Sequence, residues 1–384
     1  MMTDDTKESQ PIAAPITAAV FAVDRAIGDL RRGGTIVLAD QSSGASLLMS
    51  TEYATADRLE ALAARPGGPV TLVLTPQRAR SIGLTPTSET GVAVTLPEPI
   101  DATRVHDLSD PTAPKSELAA ETANLVPTAP RSRDSAAIAL AKLGNLLPAV
   151  LTSELDSASI GDLEDWAHRN DLVRVTVSDI ALHRDRAASA LDLVSSARVP
   201  LADAEDAMIV AFRPSDGGTE HLAIVIGEPT TSADPILVRL HSQCFTGDLI
   251  GSLRCDCGDQ LRGAVKQIAT AGAGVILYLA QEGRGIGLVN KLRAYALQDQ
   301  GLDTFEANEQ LGFDGDERHY MVAAEMLRQL GFERIRLLTN NPDKIAALQR
   351  SGINVVERVP HAFPANDHNE RYLATKASRG GQLI

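Results

Sequence analysis

A chain of 384 residues is long enough for two or three domains, each with its own core, and excludes a single small domain. Lys and Arg number 36 against 50 Asp and Glu, a formal net charge of −14, which opposes a broad surface for nucleic acid or an anionic membrane. An anionic ligand would need a local cluster of cations. With 44% hydrophobic, 22% charged and 3% aromatic residues, the composition is that of an ordinary soluble globular protein, not of a disordered chain, a coiled coil or a base-stacking surface.

Residues 1–16 are polar and interrupted by proline, and read as a flexible tail. Asp4, Asp5 and Glu8 stand where a signal peptide carries basic residues, and no run of about 18 apolar residues occurs, so the expected location is cytoplasmic with no membrane partner. From Ala18 to Leu30 the apolar Val20, Val23, Ile27 and Leu30 recur at helical spacing, Gly33 and Gly34 stop the helix, and TIVLAD follows as a strand. The alternation continues with a helix near Ala54–Ala64, the strand VTLVLT, a helix-like RARSIGL and a helix from Ser135 to Leu143, which is α/β order. Pro97, Pro99, Pro111, Pro114, Pro127 and Pro130 mark residues 97–133 as a long surface loop. PAVLTSEL reads as a strand, IGDLEDWAHRN as a helix with Trp166 on its apolar side, and LVRVTVSDI as a further strand; one domain is expected over 17–195.

A second domain is expected over 200–384. HLAIVIGE and ILVRLHS, joined by the turn-rich PTTSADP, read as an antiparallel pair. After them come a helix at about Asp259–Thr270, the buried strand GVILYLA, helices over Gly287–Gln300 and Asp316–Leu330, the strand RIRLLTN, the helix PDKIAALQRSG and the strand INVVERV.

The three cysteines, Cys244, Cys255 and Cys257, all fall in RLHSQCFTGDLIGSLRCDCGDQL as C-x10-C-x-C. Cys255 and Cys257 are close enough to share a metal and badly placed for a disulfide with each other. Three thiolates with no obvious fourth protein ligand fit an open zinc site, whose remaining position holds a water with its pKa lowered to roughly 7. Three small buried residues would leave the same pattern. His241, three residues before Cys244 on a strand, is a poor fourth ligand at that spacing. The expected fold class is therefore α/β (α+β): two mixed α/β domains, the second with a zinc site.

After GVILYLA, the run Gln281-Glu-Gly-Arg-Gly-Ile-Gly287 opens into a helix. Its glycines let backbone N–H groups approach a phosphate, the helix N-terminus favours anions, and Arg284 can grip a phosphate bidentately. An ordinary strand-to-helix turn would use glycine in the same way. Arg239, Arg254, Arg284, Arg293 and Arg318 are candidate cations for a polyanion. In Gly315-Asp-Glu-Arg-His319, Asp316 is placed to cap a helix with Arg318 in its first turn.

Taken in order, HSQCFTGDLIGSLRCDCGDQL, QEGRGIGLVNKLRAYALQDQG, DTFEAN, LGFDGDER and LLTNNPDK resemble GTP cyclohydrolase II, the first committed enzyme of riboflavin synthesis, over about residues 205–384. VERVP and HNERYLATKA close the similarity. The resemblance implies a hydrolase of cyclic-amidine C–N bonds that opens GTP at C8, releasing formate and pyrophosphate and yielding 2,5-diamino-6-(5-phosphoribosylamino)pyrimidin-4(3H)-one. It implies one zinc ion per subunit on Cys244, Cys255 and Cys257. It further implies GTP contacts from Arg239, Leu240, His241, Ser242, Gln243, Gln260, Glu282, Gly283, Arg284, Thr304, Thr339 and Lys344. Asp316 is the implied proton acceptor, Arg318 the implied nucleophile toward the α-phosphorus, with magnesium on the GTP phosphates, and Tyr295 the implied aid to ring opening. A homodimer is the implied assembly. Gln243 and Ala280 depart from the family's glutamate and arginine, removing one carboxylate and one charge beside the polyanion. The alternatives are a variant giving a formylated product or serving another pathway, and a non-catalytic GTP-binding regulator.

The N-terminal region resembles 3,4-dihydroxy-2-butanone-4-phosphate synthase in TIVLADQSSGASLLMSTEYAT, VTLVLTPQRARSIGL and PAVLTSELD. That family's acidic magnesium loop is missing at Gln41–Ser46, its R-x-G-H-T-E motif has become RSRDSAA at Arg131–Ala137, and Glu154 alone matches a family acidic residue. A magnesium-dependent reaction needs hard oxygen ligands, so a folded domain without synthase activity is expected.

Overall fold

The computed structural model describes residues 18–88, 90–113, 125–187, 190–229, 235–379 and 381. The expected tail at 1–16, part of the proline-rich loop and most of the PTTSADP turn lie outside them.

The first sheet comprises β1 (Thr35–Asp40), β2 (Gly44–Ser50), β3 (Gly67–Leu74), β4 (Val92–Thr95), β5 (Leu125–Pro127), β6 (Ala149–Leu155) and β7 (Arg174–Thr176), in the order β5-β4-β3-β6-β2-β1-β7. Only β1 and β7 pair in parallel. Helices α1 (Ala18–Arg31), α2 (Ala56–Ala63), α3 (Pro76–Ser81), α4 (Ala102–Ser109), α5 (Arg133–Leu143), α6 (Ser157–Ile160), α7 (Leu163–Arg169) and α8 (Val177–Ala187) cover its faces. Along β1 the side chains divide between those faces: Ile36 and Leu38 pack with Leu30 and Leu140, Val37 and Ala39 with Leu59, Leu62 and Trp166. A strand covered on both sides reads as a continuous apolar run, which is why TIVLAD shows no alternation.

The second sheet comprises β8 (Leu191–Arg198), β9 (Met208–Pro214), β10 (His221–Ile226), β11 (Ile236–Ser242), β12 (Gly274–Leu279), β13 (Arg334–Leu338) and β14 (Asn354–Val359), in the order β14-β13-β11-β12-β10-β9-β8. The pairs joining β14, β13, β11 and β12 are parallel, and those joining β12, β10, β9 and β8 antiparallel. Around it lie α9 (Cys257–Ala271), α10 (Gly287–Asp299), α11 (Thr304–Gln310), α12 (Met321–Gln329), α13 (Pro342–Arg350) and α14 (Glu370–Ser378). β8, which spans the expected boundary at 195, is the edge strand of this sheet. A smaller apolar cluster joins the units, with Leu147 of the first against Ile286, Ala294, Leu297, Ala307, Leu311 and Phe313 of the second. Among the described residues no helix is long and apolar enough to cross a membrane.

Four expectations are corrected. The proline-rich stretch contains α4, whose N-cap Asp101 accepts from the Thr103 N–H and whose Val105 is buried, as well as β5; the prolines flank these elements rather than dissolve them. The strand read in LVRVTVSDI stops at Thr176, because Thr176 and Asp179 exchange hydrogen bonds in a capping arrangement that starts α8. β10 and β11 do not pair, since β12 inserts between them. The helix expected from Asp316 begins only at Met321: Asp316 Oδ1 accepts from the Arg318 N–H at 3.0 Å, as a cap would, and from Arg318 Nε at 2.8 Å, but no helical turn follows.

Candidate active site

The carboxyl ends of the parallel strands β11, β12 and β13 open on one cavity, the usual ligand position in such sheets. β11 delivers His241 and Ser242 and runs on to Gln243 and Cys244; the turn after β12 delivers Glu282, Gly283 and Arg284; Thr339 follows β13, and Lys344 lies in the first turn of α13. Arg239, Gln260, Tyr295, Thr304, Arg318, Cys255 and Cys257 line the same cavity. Among the residues the resemblance implies for substrate binding and catalysis, two do not. Leu240 is fully buried in the core, and only its carbonyl faces this region, accepting from Lys344 Nζ at 2.8 Å. Asp316 lines a neighbouring cavity, with Arg318 common to both.

The three sulfurs lie within 4.8 Å of one another, Cys244 and Cys255 Sγ 3.7 Å apart. Cys244 opens a π-turn, Phe245–Leu249, and Asp248 of that turn ties it down. Asp248 Oδ2 accepts from the Cys244 N–H at 2.9 Å and from the Tyr278 hydroxyl at 3.0 Å, while Oδ1 lies 3.0 Å from His241 Nε2. His241 is thus engaged with Asp248 and stands outside the sulfur cluster. Gly247 is required by close approach, for a Cβ there would stand 2.9 Å from Cys255 Sγ and 3.1 Å from Cys244 Sγ. Lys291 Nζ sits 3.1 Å from Cys244 Sγ and 2.7 Å from Glu282 Oε1. Hydrogen bonds from the Cys255 and Cys257 thiols, together with the Lys291 ammonium, pull the Cys244 thiol far below its ordinary pKa. The same sharing pushes Cys255 up to about 11 and Cys257 well above its ordinary value. Three convergent sulfurs of this kind could hold a soft divalent metal.

The other wall is cationic. Arg239, 5% exposed, donates to Leu338 O at 3.0 Å and to Gln260 Oε1 at 2.5 Å, and burial lowers it to about 10. Burial, then Arg239 and Arg318, hold Lys344 well below the ordinary lysine range. Arg239 Nε, His241 Nδ1 and Ser242 Oγ are buried at this cavity without a hydrogen-bond partner. Arg318 Nε donates to Asp316 Oδ1 at 2.8 Å, and a second guanidinium N–H contacts Oδ2. Burial alone would raise the Asp316 carboxyl, but the hydrogen-bonded Arg318 outweighs it and keeps it below its usual range. Arg284 sits in left-handed backbone, φ 63° and ψ 33°, a cost on the order of 1 kcal/mol for a residue with a Cβ, and stacks 5.1 Å over Phe305. The Tyr295 hydroxyl is 3.4 Å from Thr246 Oγ1, burial pushes it up to about 12, and Arg254 lies 5.0 Å over its ring. Arg293, a candidate cation in the sequence, instead meets Glu52 at 3.3 Å and Asp110 at 3.1 Å in the first unit.

Sequence reasoning missed Lys291, His361, Tyr372 and Lys376, which also line the cavity. Lys291 stands four residues before Tyr295 on α10, a spacing that puts both on one helix face and would have flagged it. Lys376 reaches Asp256 at 2.7 Å across 120 residues, a contact with no local signature.

Residues 192–360 match the family model of GTP cyclohydrolase II. Over 392 residues, covering 100% of both chains, the protein is 50% identical to the GTP cyclohydrolase-2 of Azospirillum brasilense. The chain belongs to the GTP cyclohydrolase II family. It is also 36% identical to the riboflavin biosynthesis protein RibBA of Synechocystis, over 94% of this chain and 71% of that one. RibBA of Bacillus mycoides is 35% identical over 94% and 98%. Among solved structures, RibBX, a two-domain 3,4-dihydroxy-2-butanone 4-phosphate synthase from A. baumannii, aligns with 89% of this chain at 18% identity and a TM-score of 0.38, too loose a superposition to define a common fold. In this GTP cyclohydrolase II, the sulfur cluster and the cationic wall both fall within the matched residues, apart from α14 and His361.

Proposed function

We propose that this GTP cyclohydrolase II is zinc-dependent and converts GTP to 2,5-diamino-6-(5-phosphoribosylamino)pyrimidin-4(3H)-one, formate and pyrophosphate, as a cytoplasmic step of riboflavin synthesis. The observation that carries the reading is the convergence of three cysteine sulfurs within 4.8 Å in the wall of a cavity that Arg239, Arg284, Arg318 and Lys344 also line. A soft sulfur set suits zinc, and the cations suit a triphosphate, which would arrive with magnesium. Cys244, Cys255 and Cys257 hold the zinc ion, which when bound supplies a water activated at neutral pH for attack at C8.

The chain's own groups orient GTP and move protons. Arg239, His241, Ser242 and Gln243 contact the nucleotide, and the unpartnered Nε, Nδ1 and Oγ of the first three are the donors and acceptors that a bound nucleotide satisfies. Gln260, Glu282, Gly283, Thr304 and Thr339 add polar contacts around it. A guanidinium is inert as a nucleophile until it loses a proton, and Asp316, 2.8 Å from Arg318 Nε, is the acceptor within reach. Arg318 then attacks the α-phosphorus and pyrophosphate leaves, and a water later cleaves the Arg318–phosphorus bond, releasing the 5′-phosphate and restoring the guanidinium. The protonated Tyr295 phenol stands ready to donate during ring opening.

The first unit is proposed to lack synthase activity. Arg133 grips Glu154 at 2.7 and 2.8 Å, and Asp40 is hydrogen-bonded by Ser42 and Ser43. Among the described residues the only metal-ligating cluster is the cysteine trio. A homodimer is supported by the exposed apolar side chains Leu249, Ile250 and Leu253 after Cys244 and Val289 and Leu292 on α10, each more than half exposed, which a second copy would cover.

The test is product analysis with zinc-loaded protein and GTP, beside a Cys255→Ser variant. Formate, pyrophosphate and the deformylated pyrimidine are expected, and lost in the variant. A product retaining the formyl carbon would establish the variant enzyme, and tight GTP binding without turnover a regulator; either overturns the proposal.

A further inference from the structure

Phe313-Asp-Gly-Asp-Glu-Arg318 places three carboxylates, Asp314, Asp316 and Glu317, on one short loop beside Arg318. Like charges that close repel and favour an open loop. Arg318 compensates Asp316, whereas the other two are met from the first unit. Lys142 Nζ on α5 lies 2.6 Å from Glu317 Oε1 and 3.3 Å from Asp314 Oδ2, and Gln77 Nε2 on α3 donates to Asp314 Oδ1 at 2.6 Å. Glu317 is the branching point of the contact. Its Oε1 also accepts from the Asp314 N–H at 2.9 Å, closing the loop on itself, and its own N–H donates to the Arg284 carbonyl at 3.1 Å. That carbonyl belongs to the left-handed Arg284 turn, where a Cβ on Gly285 would stand 3.0 Å from the Glu317 backbone. Phe313 is anchored in the apolar cluster with Leu147 of the first unit. Lys142 and Glu317 are only 24% and 17% exposed, so the pair is not a solvated surface bridge.

We infer that the first unit is a positioning element of the cyclohydrolase site: Lys142, through Glu317, fixes both the loop that presents Arg318 and the turn that presents Arg284. This rests on the GTP reading proposed above and goes beyond it, because it gives the first unit a part in the reaction. Lys142 lines neither cavity and touches no reacting atom, so it is a positioning residue.

The experiment uses the full chain, zinc-loaded, with GTP. Unmutated protein that leaves GTP intact would overturn the functional reading, and this inference with it. Given turnover, Lys142→Met is expected to lower kcat about 10-fold, the scale of a small misplacement of catalytic groups, with KM for GTP changed less than about three-fold and zinc content unchanged. Lys142→Arg restores most of the rate. Glu317→Gln gives a similar loss, and the double variant Lys142→Met/Glu317→Gln is no slower than either single one, because one contact has been removed twice. Arg32→Ala, an exposed change in the same unit, leaves kcat unaltered. A kcat within two-fold of the parent in folded Lys142→Met, or additive losses in the double variant, overturns the inference. Should Lys142→Met not fold at the assay temperature, Glu317→Gln breaks the pair from the other side and decides the question by the same ratio.

Discussion

The two sheets share a seven-stranded, helix-covered construction, and they differ in where their unpartnered polar groups lie. In the first, Glu154 is taken up bidentately by Arg133 and Asp40 by two serine hydroxyls, and the buried unpartnered Arg65 Nη1, Arg133 Nη1 and His183 Nδ1 line neither cavity described above. In the second, Arg239 Nε, His241 Nδ1 and Ser242 Oγ are buried without partners in residues that line one cavity together with three convergent thiols. A buried polar atom without a partner costs on the order of 1–3 kcal/mol. Three such atoms around one cavity are what the proposed nucleotide would satisfy, whereas the Glu154 carboxylate already has its partner. The contrast teaches that similar architectures can differ in whether their unpartnered groups gather around one cavity.

Four changes would break or sharpen that contrast. The largest effect is expected from Arg318→Ala, which should lower GTP turnover by about 10³-fold or more with zinc retained, read by pyrophosphate release. Asp248→Asn should come next. It weakens the acceptor that holds the Cys244 N–H, Tyr278 and His241 together, and zinc affinity should fall roughly 10- to 100-fold, read by competition with a chromogenic chelator.

A smaller effect concerns pH. Burial, then Arg239, hold His361 down to about 3 in the folded protein, below its ordinary 6.5. The unfolded chain therefore takes up this proton first, so the His361 contribution to stability is full above about pH 6.5 and is lost as pH falls toward 3. Urea unfolding at pH 7.5 and pH 4.5 should show a loss of up to about 2 kcal/mol that is reduced in His361→Gln. The smallest effect is expected in the first sheet. Glu154→Gln should leave GTP turnover within two-fold and stability within about 1 kcal/mol, because the carboxylate is 65% exposed and its ion pair is screened. A large loss there would show that the first sheet retains chemistry of its own.

Local elements were legible where the signal was local. Gly33 ends the first helix, PDKIAALQRSG holds a helix over Pro342–Arg350, and TIVLAD is a strand. Where two local signals competed, the reading failed. Val-Thr-Val in LVRVTVSDI favoured a strand, but the reciprocal Thr176–Asp179 cap won. Asp316 makes the short-range N–H contact of an N-cap, yet its carboxylate also binds the Arg318 guanidinium and the helix starts only at Met321. Order along the chain could not reveal that β12 inserts between β10 and β11, because pairing across a sheet depends on which apolar faces meet.

By itself the sequence determined the alternating α/β construction, the cysteine trio and the residues that carry the family resemblance, since each depends on residue type and short spacing. Only the tertiary structure decided that the three sulfurs converge, that His241 serves Asp248, that Arg293 turns to the first unit while Lys376 reaches the cavity, and that Lys142 grips Glu317 across 175 residues. The first two depend on how the turn after Cys244 folds back, and the rest are contacts between side chains far apart in the chain, within the second unit or between the two units; no spacing rule records them.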